Sequence, residues 1–497
     1  MATAEVTTGA SLGAAKPRSV LARNIAFLAG GQLATWGLSL LWTIFVPRAL
    51  GPRGLGELTV AYAATGVVSV VISLGIGTLM VKEIARDHQK TPLLVGTALL
   101  VRLAMVPPSL LAIGLYIHFV RFSDEQAVVI WLATASMLLA LFTGPFQAAF
   151  QALERMEYLA YADVLTKAVV AIASIALVLT GFGVVAVMAL ALGMTAVSLG
   201  LNAWWSRDKF RVDWGFKSDR VRNLVVGSLP YWTTGLVLTF YMWIDSVMLS
   251  VMSSSVVVGW YAVPVKLFTT LLFVPVILAT VWLPRLSRAF RDGVDPLTKT
   301  GRPALEIVLV LSLPVATGLA LVARPLIDDI YGSLFAQSVP VLVILALTLP
   351  PTYFNIMVNQ VLIATNRQLV WTKVMVAAAV INPVLNVFAI RYFQATQHNG
   401  AIGAAVCLLA TEVGMAMVGL FLIPRILDSR SLVRIGRAVI ATAGMALVVV
   451  LLARFGLIIE TAAGAATFVA LAIALRLLTA EEIALIRSMI SRPRKWA

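Results

Sequence analysis

Tyr261-Ala-Val-Pro-Val-Lys266-Leu267 lies in the second of two long apolar runs, 224–250 and 256–283, which the polar triplet Ser253-Ser254-Ser255 folds back on each other. Each run exceeds the roughly 20 mostly apolar residues that cross a bilayer as a helix. The first holds one acid, Asp245, and the second one base, Lys266. A charge inside a membrane helix is expensive and faces a partner or a watery cavity. The two lie at comparable depth and are placed to pair, so the stretch reads as a transmembrane hairpin built around a polar seam.

The rest of the chain follows that pattern. Of 497 residues, 60% are hydrophobic and 12% charged, with mean hydropathy +0.94. Soluble domains carry about twice that share of charge. The net charge of +15 does not point to nucleic acid, because the bases sit in loops between apolar runs rather than on one face. Cys407 is the only cysteine, and His88, His118 and His398 have no ligand spacing, so neither a disulfide nor a metal centre is expected. Residues 1–22 lack an apolar core and read as a disordered cytoplasmic tail.

Fourteen segments are long and apolar enough to span, from 24–46 to 458–479. If the N-terminus is cytoplasmic, 28 of the 38 Lys and Arg fall on the inner side, six on the outer side and four within helices. That bias predicts an even number of spans with both termini in the cytoplasm. The longest loop, a basic linker at 207–222, separates two sets of six. Gly56-Glu-Leu matches Gly259-Trp-Tyr, Gln151-Ala-Leu matches Gln360-Val-Leu, and Gly183-Val-Val-Ala-Val matches Gly400-Ala-Ile-Gly-Ala. With six helices per unit the repeat is parallel, its pseudo-two-fold along the membrane normal. The expected organisation is a lobe at 23–206, the linker, a second lobe at 223–430, two further helices at 431–480 and a basic tail at 481–497.

Asn24, Gly30-Gly31, Pro47-Arg48-Ala49-Leu50-Gly51-Pro52, Gly54-x-Gly56, Leu74-Gly75 and Lys82-Glu83-x-Ala85-Arg86 resemble the N-terminal signature of the oligosaccharide flippases, which belong to the multidrug/oligosaccharidyl-lipid/polysaccharide superfamily. Tyr261, Lys266-Leu267, Pro275 and Pro284-x-Leu286-Ser287-Arg288 fit the same resemblance. It implies an all-α protein whose two six-helix lobes form a V around a cavity open alternately to either side. The implied substrate is an undecaprenyl-diphosphate-linked oligosaccharide, and the implied partners are membrane lipids, a polysaccharide polymerase and chain-length proteins. In the related peptidoglycan-precursor flippases the first helix carries cavity-facing arginines. Those places here hold Trp36 and Trp42, which argues against a peptidoglycan precursor and offers faces for sugar rings.

A diphosphate headgroup needs a cationic, polar corridor through the membrane. Lys266 is the leading candidate to meet it, with Asp245 beside it and Arg102 on the third helix second. Glu412 and Asp245 are candidates to couple transport to a proton or sodium gradient; no cofactor is implied. Gln147, Gln151, Asn355 and Asn359 are candidates for sugar contacts, and Asn382 and Asn386 share a face at i,i+4. Lys167, four residues after Asp163, reads as a surface pair. The alternative within the superfamily, a cation-coupled multidrug antiporter, places a carboxylate on the N-lobe helices, whereas 24–46 holds no acid. A membrane enzyme would need a reactive outer loop, and every expected outer loop is short.

Overall fold

The computed structural model describes residues 17–423 and 428–477, without the side chains of 17–36, 234, 238 and 294–296. The parts of the expected tails at 1–16 and 481–497, and the side chain of Trp36, lie outside this description. Every long element is a helix: α1 (Pro17–Ser73), α2 (Ile76–Arg86), α3 (Thr91–Val120), α4 (Asp124–Ala152), α5 (Met156–Leu179), α6 (Val184–Ser206), α7 (Ser218–Met252), α8 (Ser255–Leu271), α9 (Phe273–Arg291), α10 (Val294–Leu321), α11 (Ala323–Ile330), α12 (Ser338–Ala364), α13 (Gln368–Gln397), α14 (Gly400–Leu422), α15 (Ser429–Leu452) and α16 (Leu457–Ala474). Because α1 begins at Pro17, the expected tail is already helical over its last six residues.

Thirteen helical segments among the described residues are long and apolar enough to cross a membrane. The fourteen expected from sequence divide the first of these, α1, at Gly51. There φ 68 and ψ 179 interrupt the helix, because Pro52 drives its predecessor out of the α region and only glycine tolerates that geometry.

The other breaks have equally local causes. Between α1 and α2, Leu74 and Gly75 both take positive φ, which frees carbonyls inside the bundle. Arg102 donates Nη1 to Ile72 O at 2.7 Å, and Trp232 donates Nε1 to Val70 O at 2.9 Å. Between α8 and α9, Pro275 has no N–H for Leu271 O. The Tyr353 hydroxyl fills that vacancy at 2.7 Å. Both of these interruptions are thus capped by side chains from other helices, as non-helical backbone inside a membrane requires.

α1 packs on α4, α5, α7 and α8; α12 packs on α8, α9, α10 and α14; α13 packs on α7 and α14. α15 and α16 pack together on α10. The segment 207–217 folds back over one end of the first helices, here termed the linker end. Asp213 N donates to Pro92 O at 3.0 Å, and the Asp213 carbonyl occupies the space where a Gly96 Cβ would stand. Phe210 is buried beside Phe150. At the opposite end, α1 and α8 meet in backbone contact: Ser255 O lies 1.7 Å from where a Gly56 Cβ would be, and Pro52 O lies 1.9 Å from that of Gly259. Trp260 Nε1 donates to Leu334 O, and Arg48 donates to the Asp329 and Ile330 carbonyls, securing the same end.

Candidate functional site

A cavity of about 410 Å³ opens among α1, α4, α5 and α6, with Lys266 of α8 closing one side. Trp42 and Gln147 line it, as do Tyr62 and Lys167. The wall is rich in hydroxyls: Ser39 and Thr43 from α1, Ser136 and Thr143 from α4, Thr166 from α5, Thr195 and Ser198 from α6. Lys266 stands about eleven residues into α8, roughly 16 Å of helix from its start, and its side chain is exposed to this space. No carboxylate lies within 4 Å of its Nζ among the described residues. Lys167 pairs with Asp163 at 2.8 Å. Two cations and one anion therefore leave this region with a positive surplus.

The expected pairing of Asp245 with Lys266 does not occur. Asp245 points into the second set of helices, where Tyr261 donates to Oδ2 at 3.0 Å and Asn386 donates to Oδ1 at 2.6 Å. Lys266 follows Tyr261 by five residues, more than one helical turn, so the two side chains leave α8 on different faces. Asn386 also donates to Asn382 Oδ1, and Asn382 Nδ2 reaches Thr411 Oγ1. One helix turn from Asp245, Tyr241 donates to Glu412 Oε1 at 2.8 Å, while Asn355 donates to Glu412 Oε2 at 2.8 Å and to Glu412 O at 2.9 Å. Both carboxyls are buried and held by neutral donors alone, with no Lys or Arg within 4 Å among the described residues. The Oδ1 atoms of Asn355 and Asn386 are buried without partners.

Other expected contacts resolve differently. Arg102 is buried in the capping bond to Ile72 O and does not line this cavity. Asn355 is committed to Glu412, so it is not available to a sugar in the cavity. Gln151 and Asn359 line neither this cavity nor an apolar one of about 900 Å³ walled by Leu271, Pro314, Gly318, Met445, Gly464 and Phe468 on α8, α10, α15 and α16. Lys167 forms the expected exposed pair with Asp163 and also lines this cavity, beside hydroxyls that were not among the expected residues. Their signal is a recurrence at three- and four-residue spacing on one face of apolar helices, as in Ser39–Thr43 and Thr143–Gln147.

The polysaccharide biosynthesis protein family model matches residues 21–290, more than half the chain, from the first helices through the end of α9. The chain belongs to that family. No curated protein sequence matches it closely enough to count as a relative. Among solved structures, this polysaccharide biosynthesis protein is similar in fold to an inward-facing multidrug resistance MATE transporter of the MOP superfamily, with TM-score 0.63, 16% identity, and 84% of this chain and 98% of that one covered. It is similar to lipid II flippase MurJ in an inward closed conformation, with TM-score 0.62, 15% identity, and 86% and 97% covered. A MOP superfamily transporter from Pyrococcus furiosus aligns with TM-score 0.52, 18% identity, and 85% and 96% covered. At these identities the likeness concerns the fold: a multi-pass membrane protein of the MOP architecture.

Proposed function

We propose that this polysaccharide biosynthesis protein flips an undecaprenyl-diphosphate-linked oligosaccharide from the cytoplasmic to the periplasmic leaflet by alternating access. The linker end faces the cytoplasm of a bacterial inner membrane, with both termini on that side. Lys266 carries the reading: a cation without a carboxylate partner, exposed to a polar cavity deep within an otherwise apolar bundle. Because no carboxylate among the described residues already holds it, a diphosphate entering the cavity meets its full charge. Lys167, on the same cavity, adds a second cation that a diphosphate can recruit from Asp163. The apolar cavity along α15 and α16 offers the polyprenyl chain a path outside the polar one. Asp245 and Glu412, buried in the second set of helices and held by neutral donors alone, couple the cycle to a proton or sodium gradient.

The multidrug antiporter reading fares less well. A cation-binding cavity needs acidic walls, and this one is lined by two lysines and no Asp or Glu.

The test reconstitutes the protein in liposomes with a fluorescent undecaprenyl-diphosphate oligosaccharide and follows leaflet exchange. The intact protein exchanges the lipid, and Lys266→Ala slows this at least tenfold while remaining folded. Failure to exchange any such lipid, combined with export of a cationic dye, would sink the proposal.

A further inference from the structure

The break between α1 and α2 carries a donor beyond what its carbonyls require. Ser73, within α1 itself, donates Oγ to Val70 O at 2.9 Å, and Trp232 of α7 donates Nε1 to the same oxygen at 2.9 Å. Ile72 O is held by Arg102 of α3, which like the break precedes the linker. Val70 O therefore has a local partner without the indole. What the indole bond adds is a tie between α1, before the linker, and α7, after it. The surfaces on either side are fitted to that tie. A Cβ on Gly75 would stand 2.6 Å from Trp232 N and 2.9 Å from Ser228 O, so the α7 backbone lies flush on the break. A Cβ on Gly227 would stand 3.1 Å from Leu79 Cδ2, and Lys82 Nζ donates to the Tyr231 hydroxyl at 3.2 Å. Ser228 lies ten residues into α7, about 15 Å of helix from its start. Residues 227–232 thus seat on 70–82 in the part of the bundle near the linker end, as α8 seats on α1 at the opposite end.

We infer that Trp232 is a latch: its N–H on Val70 O holds α7 against the Leu74-Gly75 break, closing the linker end, and releases when that end opens. The inference takes alternating access from the proposed function and nothing about its cargo. Release is mild, because Val70 O keeps Ser73 and water replaces the indole, so only a net hydrogen bond is lost. Arg102 stays on Ile72 O throughout, and the break keeps its shape while α7 moves away.

Pulsed dipolar distances on the spin-labelled full-length protein, in a Cys407→Ser background, test this. One pair, Arg86→Cys with Arg291→Cys, spans the linker end; the other, Arg121→Cys with Leu334→Cys, spans the opposite end. Trp232→Phe keeps an aromatic ring and removes the N–H. It is expected to raise the long-distance fraction of the first pair over the short one by about three- to tenfold, the worth of one net hydrogen bond, without lengthening the second. Arg102→Met loosens the same break from within the first helices and should leave the first pair as it was. An unchanged first pair in a folded Trp232→Phe overturns the latch. So does an equal shift in both variants, since Trp232 would then only mend the break. A second measurement keeps the indole in place. A short, cleavable bis-thiol reagent bridging Leu79→Cys and Gly227→Cys pins α7 to α2; leaflet exchange should stop, and cleavage should restore it. Exchange at full rate while bridged overturns the latch. If the unbridged protein exchanges no lipid, the flippase reading falls, and the distances still decide the latch.

Discussion

Gly56 and Gly259 receive each other's helix: the oxygen pressed against Gly56 belongs to the residue four before Gly259, and the oxygen pressed against Gly259 belongs to the residue four before Gly56. The reciprocity puts a pseudo-two-fold axis through the contact of α1 with α8. At such range only a Cα–H can meet a carbonyl, and an added methyl would displace backbone. Gly56→Ala and Gly259→Ala are therefore each expected to spread this end of the bundle. Spin-label distances between Arg121 and Leu334 should lengthen, and flipping should fall at least tenfold. Native distances and rates in both variants would show that the contact is incidental.

Asp163 competes with any anion for Lys167. Asp163→Asn removes the competitor, so farnesyl diphosphate should bind several-fold more tightly, and Lys167→Ala should reverse the gain. If Asp163→Asn weakens binding, the pair is architecture instead.

Asp245→Asn and Glu412→Gln keep size and most hydrogen-bonding capacity while removing the groups able to carry charge. Both variants should fold. Under the coupling proposal they lose the stimulation of flipping by an imposed proton or sodium gradient yet retain slow exchange without one. Full stimulation in both would remove these carboxyls from the transport cycle.

Arg102→Met and Tyr353→Phe test the capped breaks. Each leaves a buried carbonyl, Ile72 O or Leu271 O, without its donor, a loss of about 1–3 kcal/mol. Thermal unfolding in detergent should shift downward by several degrees, with little change in flipping rate well below the transition. A flipping defect in Arg102→Met at unchanged stability would return Arg102 to the transport path.

Asp428 caps α15 by accepting from Ser431 N and pairs with Arg302. The Ser431 backbone N–H first, then its hydroxyl and Arg302, hold this carboxyl below its ordinary value of 3.8. A lowered folded-state pKa means that the stabilisation is complete above 3.8 and fades as pH falls through the lower folded value. The unfolding temperatures of the intact protein and Asp428→Asn should thus differ by a constant offset from pH 5 to 8 and converge only below 3.8. An offset that changes between pH 5 and 8 would contradict the assignment.

Much of this architecture was legible in the residues. Hydropathy located the spans, and the repeat matched Gly56 with Gly259, which the structure brings into contact. That Asp245 and Lys266 stay apart was not legible, because equal depth on neighbouring helices says nothing about which face each side chain leaves. Nor could the pattern show that Arg102 serves a broken helix: the Leu74-Gly75 break and the arginine that mends it are far apart in sequence. The hydroxyl wall was invisible for a further reason. A threonine in an apolar helix bonds its own backbone whether or not a cavity lies beyond it.

The single side chain of Arg434 gathers three parts of the linker end: Nη1 reaches Glu306 of α10 at 2.7 Å, and Nε reaches Leu477 O, just past α16, at 2.9 Å. Ser431, one turn earlier on α15, donates to the other Glu306 oxygen. The chain therefore cannot be pared back to its two sixfold sets without harm. Cut before α15, α10 would keep a nearly buried glutamate whose partners had all been discarded, so the last two helices are as obligatory to the fold as the repeats they follow.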